Sequence, residues 1–156
     1  MGPIGFTGPA GADGLPGPTG PQGPAGVSTA FTAQFDFSSN VISISSSYAQ
    51  LTSILVPVGT YIVTAKMVLT NSSAGATGVN CLLIQSGSGG IRDSADGWLA
   101  DTSGSTTVVL HTALRITGPT GEHIQVVCRR NSPGTAFANY QQLTAISIAT
   151  LTAPGP

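Results

Sequence analysis

The stretch GSGGIRDSADGWLADTSGS, residues 87–105, gathers Arg92, Asp93, Asp96 and Asp101 around the only tryptophan of the chain, Trp98. Carboxylates accept hydrogen bonds from hydroxyl groups, a guanidinium offers a fork of donors, and an indole supplies a flat apolar surface with one polar edge. Together they are the side chains of a recognition loop. The acidic spacing does not follow the EF-hand pattern, and neither a metal nor another cofactor is expected. Two readings stay open: a ligand-binding loop, or a connection in which Trp98 anchors a short strand while the aspartates face water.

Nothing else in the sequence assembles a catalytic set. His111 and His123 fall among polar strand positions, and no serine sits in the strand–turn–helix setting of a nucleophile elbow. The chain is expected not to be an enzyme. Cys81 and Cys128 lie in different apolar stretches, without metal or redox spacing, and read either as buried free thiols or as one disulfide. Arg129 and Arg130 close a strand, as a solvated end or as half of an inter-subunit ion pair. Asn71-Ser72-Ser73 is a formal N-glycosylation acceptor.

The elements that must position these residues read as strands, because the apolar residues alternate. In AFTAQFDF, Phe31, Ala33, Phe35 and Phe37 share one face. In VGTYIVTAKMVLT, Tyr61, Val63, Ala65, Met67 and Leu69 oppose Thr64 and Lys66. VNCLLIQS is apolar on both faces, like an interior strand. TVVLHTALRIT sets Val108, Leu110, Leu114 and Ile116 against Val109, His111, Ala113 and Arg115. GEHIQVVCRR sets Ile124, Val126 and Cys128 against His123, Gln125, Val127 and Arg129, and a last run carries Ile146 and Ile148. Turn residues at SSN, PVG, NSSAGATG, TGPTG and NSPG separate them. The pattern predicts about eight to ten strands and no helix, an all-β jelly-roll sandwich.

Residues 2–26 follow a different rule. Glycine recurs at 2, 5, 8, 11, 14, 17, 20, 23 and 26 without a slip. A strict Gly-X-Y period is the requirement of a collagen triple helix, where only glycine fits at the crowded axis. A flexible linker would need no period. Five of the six prolines directly follow a glycine and only Pro16 precedes one, so little of the segment offers the usual hydroxyproline place. The expected layout is a collagen-like stem over 2–28 and a trimerising head over 29–156, with Gly2, Gly5, Gly8, Gly11, Gly14, Gly17, Gly20, Gly23 and Gly26 on the triple-helix axis. The repeat starts directly after Met1, which predicts a piece of a longer stalked protein or export by another route such as phage assembly.

Charge narrows the partners. Charged residues make up 7% of the chain, the net charge is −1 and Lys66 is the only lysine. Nucleic acid binding needs clustered cations, so it is not expected. No apolar run is long enough for membrane insertion.

Collagen triplets running straight into a β-sandwich resemble bacterial, or phage, collagen-like proteins with a C-terminal C1q/TNF-like trimeric jelly-roll head, such as spore exosporium collagen-like glycoproteins. PVGTYIVTAKMVL (57–69) is similar to the G-x-Y strand of that superfamily, and LTAISIATL (143–151) to its last core strand. Val63 and Ala65 stand where the animal pattern has aromatics, which points to the bacterial branch. The resemblance implies a homotrimeric structural protein of a cell or spore surface. Strand faces and strand ends offer Tyr61, Val109, His111, Val127 and Arg129 as candidate trimer contacts. The competing expectation is a receptor- or glycan-binding head of a phage tail fibre or bacterial adhesin, binding a host-surface ligand.

Overall fold

The computed structural model describes residues 1–8, 10–11, 29–35, 41–87, 90–101 and 103–148. Among them are nine strands: β1 (Ala30–Phe35), β2 (Ile42–Ser43), β3 (Ala49–Val56), β4 (Gly59–Thr70), β5 (Thr77–Gln85), β6 (Gly90–Leu99), β7 (Ser105–Ile116), β8 (Glu122–Arg130) and β9 (Phe137–Ile148). They form two antiparallel sheets. One runs β1-β9-β4-β7, with β2 also on β9, and the other runs β3-β8-β5-β6. Successive strands from β3 onward change sheet at every connection except the β5–β6 hairpin, which gives the jelly-roll-like order.

Period two decides what lies between the sheets. Val63, Ala65, Met67 and Leu69 of β4 are fully buried, and Leu110 of β7, Leu143 and Ala145 of β9 cover them from the same sheet. Val79, Cys81 and Leu83 of β5 and Ile124, Val126 and Cys128 of β8 close the core from the other side. The alternation read for these strands is therefore the alternation of the sandwich. Two stretches differ. Ala49–Val56 forms β3 although no clear pattern marks it, because a bulge between Gln50 and Thr52 interrupts its period. Residues 90–99 are not a loop but β6, paired along β5.

Cys81 and Cys128 stand directly opposite each other on β5 and β8 and form a disulfide. The free-thiol reading is thereby set aside: the register brings both side chains to the same inner face.

Tyr61 is a second correction. It is only 3% exposed, because it shares the inner face with Val63 and Ala65. Its ring stands edge-on to Phe31 at 6.0 Å between centroids, and its hydroxyl donates to the Pro57 carbonyl at 3.2 Å. It is a core residue rather than a trimer contact. Gly59 fits beside it closely, since a Cβ there would lie 3.1 Å from the tyrosine ring.

The sandwich has two distinguishable ends. Ala30, Gly59, Ile116 and Ile148 mark the end where the chain enters β1. The opposite end carries the β4–β5, β6–β7 and β8–β9 connections, tied together by Asn71. Its buried side-chain amide donates to the carbonyls of Gly75 (2.7 Å) and Ala100 (2.9 Å), and its Oδ1 accepts from the Ser73 backbone amide. An amide with both hydrogens engaged and 2% exposed is a structural clamp.

Gly2, Gly5, Gly8 and Gly11 are exposed, with open space where a Cβ would stand. Gly14, Gly17, Gly20, Gly23 and Gly26 lie outside the described residues, as does Phe37.

Candidate binding site

Three strands and the residue ahead of a fourth bring one set of polar and aromatic side chains together on the outer face of the β3-β8-β5-β6 sheet. Asn80 of β5 pairs in register with Asp96 of β6 on one side and Arg129 of β8 on the other. Tyr48, just ahead of β3, completes the row beyond Arg129. Its hydroxyl donates to Asn80 Oδ1 at 2.6 Å, and Asn80 Nδ2 donates to Asp96 Oδ1 at 3.0 Å. The Arg129 guanidinium sits 4.8 Å from the centroid of the Tyr48 ring. Asn80 is thus held at both ends of its amide, which fixes which atom points which way.

Trp98 lies one register step further along. It faces outward and is 68% exposed, although it belongs to a strand. Its indole rests across Gly78, where an added Cβ would come within 3.1 Å of Cζ3 and 3.7 Å of the Asn131 Cβ. The glycine in the middle of a strand pattern is explained by this close approach. Asn80, Asp96, Arg129, Arg130 and Asn131 line an open groove of about 440 Å³ beside the indole.

The residues read from the sequence divide accordingly. Asp96 and Trp98 are in this cluster. Arg92 is exposed at the register shift of β6, further along the strand. Asp93 occupies the opposite face and turns to β7, where its Oδ2 accepts from the His111 backbone amide at 2.7 Å. Asp101 is exposed in the following turn. The five therefore do not converge on one point, since alternation along a strand separates Asp93 from Asp96. Among the described residues no three acidic, histidine or cysteine side chains are placed to share a metal ion.

Of the remaining trimer candidates, Val109 and His111 occupy the outer face of the β1-β9-β4-β7 sheet. Val127 and Arg129 lie on the outer face of the other sheet. No single flat contact contains all four. Tyr48, Asn80 and Asn131 had no signal in the sequence: they lie up to 83 residues apart and meet only through the β3-β8-β5 register.

The two histidines belong to different sheets. His111 Nδ1 lies 3.0 Å from Thr64 Oγ1, and His123 Nδ1 lies 3.1 Å from Ser53 Oγ. Among the described residues neither ring is hydrogen-bonded to a carboxylate.

No family model matches the chain, and no curated protein matches it. Among solved structures it is similar to a protein of Bacillus endospore appendages described as disulfide-linked pili. That match has 10% identity over 78% of this chain and 90% of the other, with a TM-score of 0.43. It is also similar to Eiger TNF from S. frugiperda, with 11% identity, 81% and 98% coverage and a TM-score of 0.47. A third likeness is to infectious bursal disease virus, Gx strain, with 12% identity, 78% of this chain but 33% of that one, and a TM-score of 0.44.

Proposed function

We propose that the chain is a structural, homotrimeric collagen-like surface protein whose sandwich brings three copies together and registers a triple helix formed by residues 2–28. The observation that carries this reading is the outer face of the β1-β9-β4-β7 sheet. There Ala30, Ile146, Ile62 and Ala113 form an apolar row across four strands. The next row is Thr32, Thr144, Thr64 and His111, and among the described residues the face carries Lys66 and Arg115 in other rows. A sheet face this poor in charge suits contact with copies of itself.

The position of Ala30 adds geometry. It opens β1 and stands in the apolar row, so the Gly-X-Y segment joins the sandwich at the edge of that face. Three faces packed about an axis would bring three such segments side by side. The effective concentration of the strands would then be roughly millimolar, and about 25 residues would wind into a rod on the order of 75 Å. The open space around Gly2, Gly5, Gly8 and Gly11 supports the same reading, because nothing within one chain demands glycine there. A period without an intrachain cause is accounted for by an axis between chains.

The disulfide fits an oxidising location, outside the cell, on a cell or spore surface, or on a virion. No catalytic step belongs to this reading.

Sedimentation equilibrium of the full chain over a wide concentration range, with circular dichroism of the triple-helix signal, tests it. A trimer whose triple-helix signal melts together with the association is expected. A monomer at every concentration overturns it.

A further inference from the structure

We infer that the groove beside Trp98 is a saccharide-binding site, for an oligosaccharide that carries a carboxylate. The inference does not rest on the trimer reading, because the residues come from one chain.

Three features of the cluster define the chemistry. Trp98 is 68% exposed, and its Cζ3 and Cε3 lie 3.1 and 3.3 Å from where a Gly78 Cβ would stand, so the indole rests against the β5 backbone and offers its remaining surface to solvent. Such a surface matches the apolar C–H face of a pyranose, which is too polar elsewhere to enter a dry pocket. Beside it, the groove is lined by planar polar groups, Asn80, Asn131, Asp96 and Arg129, rather than by apolar side chains. These are donors and acceptors in the pairs that adjacent sugar hydroxyls satisfy, whereas a lipid or an apolar peptide would leave them unpaired.

The third feature is charge. Arg129 packs its guanidinium on the Tyr48 ring, and among the described residues it makes no hydrogen bond or ion pair. Its donor fork is oriented but unspent, the geometry that suits a planar carboxylate. Asp96 Oδ1 already accepts from Asn80 and, at 3.4 Å, from Asn131, while Oδ2 has no partner among the described residues and remains an acceptor for a hydroxyl. Preorganisation is the common theme: Tyr48 holds Asn80, Asn80 holds Asp96, and Tyr48 supports Arg129.

Placement agrees with this role. The cluster lies toward the end of the sandwich opposite Ala30, where the chain enters β1, and on the sheet face opposite the apolar row. Packing three copies through that row would leave three such grooves on the outside, so weak single-site binding would gain avidity.

The test is isothermal titration of the full chain with sialyllactose and tetragalacturonate, and with the neutral lactose and cellotetraose. Binding of at least one acidic sugar, tighter than its neutral counterparts, is expected. Trp98→Ala should weaken it by about tenfold or more, as truncation of a stacking aromatic does. Arg129→Ala should remove the preference for the acidic sugar while neutral binding persists. Far-ultraviolet circular dichroism of both variants establishes that they fold, and Asp96→Asn serves as the isosteric substitute if Trp98→Ala does not. Absence of binding to all four sugars overturns the inference. So does binding that these variants leave unchanged.

Discussion

The two outer faces of the sandwich have the same architecture and opposite chemistry. On the β1-β9-β4-β7 face, rows of alanine, isoleucine and threonine cross four strands, and Lys66 and Arg115 are the only lysine or arginine described there. On the β3-β8-β5-β6 face, a row of the same length reads Tyr48, Arg129, Asn80, Asp96, with Trp98 one step beyond. Strand pairing alone treats both alike. In the proposed reading one face is buried against another copy and the other meets a hydrated ligand. The first lies where the chain arrives from its glycine repeat, the second toward the far end.

The largest effect should come from charging the apolar row. Ile62→Asp or Ile146→Asp would place three carboxylates about the axis of a trimer, and each buried charge costs several kcal/mol. Both variants should sediment as monomers at concentrations where the parent is trimeric, and their triple-helix signal should vanish. Arg129→Ala, on the opposite face, should sediment like the parent. A monomeric Arg129→Ala together with trimeric Ile62→Asp would reverse the assignment of the faces.

Next in size is the disulfide, which links β5 to β8 inside the sheet that carries the groove. Its sequence separation is 47, and a loop of that length corresponds to about 4 kcal/mol of stability in the chain-entropy treatment. Replacing Cys81 and Cys128 together by alanine should lower the denaturation free energy by about 2–4 kcal/mol without changing the oligomer. Loss of the trimer in this variant, with the sandwich still folded, would mean that the two faces are coupled.

How much of this contrast was legible in the sequence depends on whether a feature is local. The inner faces of β4, β7 and β8 were readable because period two is a local property, and Val63, Met67, Leu110 and Val126 fell where alternation put them. β6 was not readable. Gly90, Ser94 and Gly97 weaken its strand signal, and its stability comes from pairing along β5, which composition does not express. Trp98 and Asp96 stood out by residue type alone. Their partners did not, because Tyr48, Asn80 and Asn131 acquire meaning only from register. Tyr61 shows the reverse error: the apolar face of its strand suggested a contact between subunits, while that same face lies in the core of one chain.

Gly78→Ala sharpens the contrast at smaller cost. The added methyl would sit 3.1 Å from the indole, so Trp98 must move outward by a few tenths of an ångström. Alanine in a strand interior regains roughly 0.5 kcal/mol of chain entropy, so overall stability should change little. Tryptophan fluorescence should shift, and binding of the acidic sugar should weaken by about threefold, a partial loss next to that of truncating an anchor residue. The sedimentation of the chain should stay as it was. A stability loss well above 1 kcal/mol would mean that Trp98 is a structural cover for β5 and not a free surface.

The last effect is read at alkaline pH and belongs to Tyr61, which sits between the two faces. Burial raises its pKa above the ordinary 10.0. A phenol whose folded pKa exceeds its unfolded value holds its proton longer in the native state, so its contribution is complete below pH 10. It is lost as pH rises through the unfolded and then the folded value. Stability should therefore fall above about pH 10, and Tyr61→Phe should reduce that fall while costing the hydrogen bond to Pro57, about 1 kcal/mol, at neutral pH. Because Tyr61 lies in the core of one chain, the alkaline loss that it contributes should be independent of protein concentration. A loss that instead shifts with concentration would tie Tyr61 to the contact between copies and move the boundary between core and interface drawn here.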